Sequence, residues 1–160
     1  MNAADNLILM TDLITQSSHC VDLLEQCLTS ELESLNTYNA DELLKSSQKK
    51  EDLMLELHAI ESTRKKLLKD NNIESKDEYL QWLDQLDASS QLKKQWLELA
   101  TKVLECQKQN SKNGIISENM ASASEQALNI LSGNNTPADN TYAANGKKPG
   151  NINSLHNTTA

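Results

Sequence analysis

The first 132 residues contain one glycine, Gly114, and no proline; the other three glycines and both prolines lie at or beyond Gly133. A chain so free of breakers over that length is committed to helix, because Gly and Pro are the residues that most often interrupt one. Within this stretch Leu7, Ile14, Val21, Leu28 and Leu35 recur every seven residues, with Met10 and Leu24 between them. A repeat of 3.5 residues keeps one seam turned toward a long partner helix, so the pattern predicts a supercoiled first helix over about residues 4–35. With no Phe, two Trp and three Tyr, the core has to be built from Leu and Ile. The expected fold is all-α: an elongated antiparallel helical hairpin or bundle of coiled-coil type, with a long C-terminal amphipathic helix and a disordered tail.

The segment NTYN, residues 36–39, ends the first helix. Asn39 and Glu42 have the spacing of a capping box and predict the start of a second helix, whose seam is Leu43, Leu53, Leu57, Ile60 and Leu67. So short a link favours an antiparallel pair. Residues 1–39 carry six carboxylates and no Lys or Arg, whereas residues 40–71 carry seven charges of each sign, which suits an acidic helix beside one that supplies cations. Lys50 and Arg64 fall on the second seam, and their stems are expected to run along the groove toward Glu31 or Asp22. Ser75 and Glu78 form another capping box and open a short helix that presents Tyr79, Leu80, Leu83 and Leu86. The spacing fits either a separate helix or a kinked beginning of the last one, which runs from about Ser90 to Leu131.

That last helix has a stripe of Leu92, Trp96, Leu99, Val103 and Cys106, then Asn110 and Asn113 in successive seam positions, then Gly114. Asn in a seam and Gly in a helix interior both weaken packing, so firm packing is expected up to Asn110 and looser packing after it. Past Gly114 a second stripe follows, Ile116, Met120, Ala123, Ala127 and Leu131, backed by Ser, Glu, Asn and Gln. It reads as a surface for another protein; the competing reading, which the residues alone favour, is that it completes the bundle's own core. Three regions result: an antiparallel body over 1–109, an amphipathic helix over 110–132, and a tail over 133–160 too poor in apolar residues to offset the entropy of folding.

A net charge of -8 with no basic patch argues against nucleic acid. The N-terminus has neither the charge nor the apolar run of a signal peptide, so a cytoplasmic protein is expected. Cys20, Cys27 and Cys106 lack metal-type spacing and read as small apolar core residues. His19, His58 and His156 are scattered, no Glu-x-x-His pair occurs, and no phosphate loop follows a strand. Neither an enzyme nor a cofactor or metal site is expected.

In order, the sequence resembles the FlgN family of flagellar type III export chaperones. The likeness rests on Leu57, Ile60, Glu61 and Arg64, then on Asn110, Asn113, Gly114, Ile115 and Ile116, then on Ala127, Leu128, Leu131 and Gly133. It ends in Thr141, Tyr142 and Gly146, with Ala143 where the family usually has Gly. The resemblance implies a chaperone that binds C-terminal helical segments of the hook-associated proteins, keeps them from assembling early, and delivers them to the export gate. Carried over by residue, client binding falls on Asn113, Gly114, Ile115, Ile116, Met120, Ala123, Ala127, Leu128 and Leu131, and docking on the gate's cytoplasmic domain falls on Tyr142. A monomer is expected in the free state; the competing reading is a homo-oligomeric coiled-coil scaffold.

Overall fold

Asn2 begins the first helix: its side-chain oxygen accepts from the Asp5 amide at 2.8 Å while the Asp5 carboxylate accepts from the Asn2 amide at 3.3 Å. This box satisfies two amides that the helix itself leaves unpaired. The computed structural model describes residues 2–132. They form four helices, α1 (Ala3–Asn36), α2 (Ala40–Asp70), α3 (Lys76–Leu86) and α4 (Gln91–Leu131). The chain divides into one unit over Met1–Ala121 and a second over Ser122–Ala160; the packing described next is that of the first.

The heptad seam of α1 is buried at Met10, Ile14, Val21, Leu24, Leu28 and Leu35, with Leu7 half-buried. Leu13, Cys20 and Cys27 are buried as well, so the apolar face is wider than a two-position seam. The cause is that α1 is enclosed by more than one helix: α2 packs along it, and α3 also touches it. α2 runs antiparallel to α1, as expected. Asn6 donates to Asn71 at 2.8 Å near one end, and the Cys27 thiol donates to the Ser46 carbonyl at 3.0 Å near the other. On α2 the buried seam is Leu53, Ile60 and Leu67. Each interhelical link contains one non-glycine residue in the left-handed region, Tyr38, Asn72 and Ser90, with φ of 55°, 57° and 56°. Such a residue reverses the chain in few positions.

The Asn39 cap forms only by half. Asn39 accepts from the Glu42 amide at 3.2 Å, but the Glu42 carboxylate holds Lys45 at 2.6 Å instead of reaching back. The cap of α3 is complete: Ser75 accepts from the Glu78 amide at 3.2 Å, and Glu78 accepts from the amides of Glu74 and Ser75, both at 2.9 Å. α3 is a separate helix. The Asp87 carboxylate accepts from Ser89 and from the Leu92 amide, and Asp84 accepts from Ser90 and from Lys93, so the α3–α4 corner is tied by side chains.

The carboxylates of this corner and cap titrate below the usual range. Glu78 is lowered by the Glu74 and Ser75 amides, Asp84 by Lys93, and Asp87 by the Ser89 hydroxyl and the Leu92 amide. A carboxylate lowered in the folded state contributes stability above its unfolded value, about 3.9–4.3, and loses it as the pH falls through the folded value. Both tryptophans, Trp82 and Trp96, lie on the two helices joined here. Their fluorescence should therefore hold steady down to about pH 4 and change below it, with a shallower pH dependence in Glu78→Gln. An identical acid profile in that variant would show that the cap is not what titrates.

Candidate protein-binding surface

Where α4 meets the α1–α2 pair, two seam positions carry Asn. Asn113 is 2% exposed and donates to the Leu28 carbonyl and to Glu31 Oε2, both at 2.8 Å, while Gln109 donates to Asn113 Oδ1 at 2.8 Å. Glu31, 6% exposed, also accepts from Lys50 at 2.5 Å, and Lys50 donates to Asn110 Oδ1 at 3.1 Å. One carboxylate thus ties α1, α2 and α4 together. The expectation of loose packing from Asn110 onward is corrected on this point. Asn weakens a seam when its polar atoms lack partners, and here each Asn113 side-chain heavy atom that can hydrogen-bond has one.

The charged seam residues also find partners. Lys50 takes Glu31, one of the two carboxylates expected for it, and Asp22 instead receives Lys102 from α4. Arg64 donates twice to Glu61, both at 2.7 Å, and its guanidinium lies 4.7 Å from the Trp96 ring centroid and 5.3 Å from that of Tyr79. Gly114 does not interrupt α4: a Cβ there would meet nothing within 4 Å, so its influence is limited to helix propensity, about 1 kcal/mol relative to Ala.

After Asn113 the burial along α4 falls away. Ile116 and Met120 are half-buried, and in the second unit every described residue from Ser122 to Ser132 is exposed, Ala123 and Ala127 among them. Leu131 is 83% exposed. The repeat steps three residues instead of four between Asn113 and Ile116, with Ser117 in the expected place. Ile116 and Met120 are thereby turned partway round the helix from the face buried upstream. Ile115 and Leu128, both exposed, sit about 100° off the stripe's axis. Ile130, exposed and three residues after Ala127, belongs to the stripe; the same spacing rule finds it, although it was not among the residues expected from sequence. Asn113 faces inward, and Tyr142 lies outside the described residues.

The three cysteines are buried and free. Burial pushes the Cys20 thiol up to about 11, with Glu56 adding to it, and burial is also the main cause raising Cys27 and Cys106. All three are therefore thiols at neutral pH, poor nucleophiles and poor metal ligands. Among the described residues no group of three or more His, Cys, Asp and Glu is placed to hold a metal ion, and no helix is long and apolar enough to cross a membrane.

Compared with known proteins, residues 6–150 match the model of a family described as FlgN, FlgN protein. No curated protein and no solved structure matches.

Proposed function

The chain belongs to the FlgN family of flagellar export chaperones, and we propose that it holds C-terminal segments of the hook-associated proteins on the outer part of α4 until they reach the export gate. One observation carries this reading: the apolar stripe continues past the last buried seam residue of α4, Asn113, through Ile116, Met120, Ala123 and Ala127 to an exposed Leu131. A contiguous apolar helix face left in water marks an interaction surface. Ala121, Ala123, Ser124 and Ala127 let a partner helix come close, while Ile116, Met120, Ile130 and Leu131 supply area that binds at about 25 cal/mol per Å².

In this reading Asn113 and Gly114 form the base of the client-binding helix, Ile115 and Leu128 flank the stripe, and Tyr142 docks the loaded complex on the gate's cytoplasmic domain. Release is compatible with this surface, since a stripe interleaved with alanines buries less area than a Leu-rich seam and binds reversibly. The protein works as a cytoplasmic monomer in a one-to-one complex with its client.

Titration calorimetry of the full chain with the C-terminal segments of the two hook-associated proteins tests the reading. Saturable binding is expected, weakened about thirtyfold by Ile116→Asp or Leu131→Asp, roughly the effect of losing one buried aliphatic side chain, with helicity retained. If neither segment binds and light scattering shows a stable dimer or larger species, the homo-oligomeric scaffold is the better account.

A further inference from the structure

α1 and α2 are the closest-packed pair of helices, and α4 does not come as near to α2. Between α2 and α4, above α1, this leaves an open groove of about 420 Å³. Leu24 and Leu28 of α1 line it together with Met54 and Leu57 of α2 and Val103 and Cys106 of α4. Lys50 and Asn110, two members of the polar anchor, also border it. The volume lies in the range of built binding clefts, about 300–1,000 Å³. Protein interiors are otherwise close-packed, so an apolar groove of this size beside a well-filled core is a feature to be accounted for.

The charges of its lining say what fits. The Lys50 ammonium is already taken up by Glu31 and Asn110, whereas Glu51, also on the lining and exposed, makes no ion pair among the described residues. The groove therefore presents a carboxylate beside an apolar trough, on a chain whose net charge is already -8. Met54 is 53% exposed, and a thioether side chain adapts to anchors of differing shape. We propose that this groove holds a second stretch of the client, an amphipathic helix whose apolar anchors enter the trough and whose adjacent lysine or arginine faces Glu51. The inference rests on the client reading above. The helix that forms one wall of the groove also carries Ile116, six residues beyond Asn110.

The test uses the full chain and the same two C-terminal segments as probes, with variants at exposed positions that leave the core alone. Met54→Asp should weaken binding about tenfold, the effect of losing part of one apolar contact. Glu51→Lys should weaken it several-fold, with the loss shrinking at high salt as a charge contact does. Circular dichroism and thermal melting of both variants should match the wild type. If both bind as the wild type does while Leu131→Asp fails to bind, the groove takes no part and the inference falls alone. If the wild type binds neither segment, the client reading and this inference fall together.

Discussion

Tyr79→Ala should lower the stability of the protein by about 4 kcal/mol, the usual cost of deleting a fully packed aromatic side chain. The ring is 4% exposed and meets Trp96 edge-on at 5.0 Å, Trp82 at 6.4 Å and the Arg64 guanidinium at 5.3 Å, while its hydroxyl donates to the Met10 sulfur at 3.9 Å. One side chain of the eleven-residue α3 therefore touches all three longer helices. Its removal leaves a cavity and also takes one of two aromatic faces from a guanidinium that is only partly in water. Tyr79→Phe keeps the ring and gives up the hydroxyl's bond to a weak thioether acceptor and its interaction with Arg64, so it should cost about 1 kcal/mol. Urea unfolding followed by far-ultraviolet circular dichroism measures both. A cost below about 1.5 kcal/mol for the alanine variant would show that α3 is not an integral part of the core.

What the sequence makes legible here follows from the range over which each signal acts. The α1 seam was readable because Leu7 through Leu35 repeat within one helix, and the Ser75–Glu78 cap because both partners lie within three residues of each other. The same local rule also covers Asn2 and Asp5, and overstates Asn39, where Glu42 has Lys45 as a nearer partner. The break between α3 and α4 has no periodic signature, since the apolar spacing is helical on both sides; it comes from the positive φ of Ser90 and the capping carboxylate of Asp87. At Asn113 the local pattern misleads for a different reason. Its partner Glu31 lies 82 residues away, and no pattern within α4 shows that the amide is satisfied. The groove beside Met54 is likewise set by the distance between α2 and α4, which depends on side chains across the bundle and not on the repeat within either helix. The stripe from Ile116 to Leu131 was plain from spacing, and its exposure follows only once Asn113 is seen to be the last fully buried residue of α4.

Glu31→Ala tests that anchor most directly and should cost about 3 kcal/mol, the low end of the range for removing one partner of a buried ion pair. The low end applies because the Lys50 side chain is 27% exposed and can turn toward water, whereas that of Glu31 is 7% exposed. Asn113 then keeps only the Leu28 carbonyl for its amide group, which adds the penalty of a poorly satisfied buried donor. Glu31→Ala and Lys50→Ala should not add. Once the carboxylate is gone the ammonium has only Asn110 to hold, so the double variant should be more stable than the sum of the two losses implies by about 1 kcal/mol or more. A double-mutant cycle in urea measures that coupling, and additivity within about 0.5 kcal/mol would mean that the pair is not formed in solution. The functional consequence separates this anchor from an ordinary core contact. Asn113 lies three residues before Ile116, so loosening it leaves the proposed client stripe chemically intact but no longer held at its base. Client affinity should then fall a few-fold in Glu31→Ala through the added cost of ordering α4 on binding, although Glu31 itself is too deeply buried to touch the client.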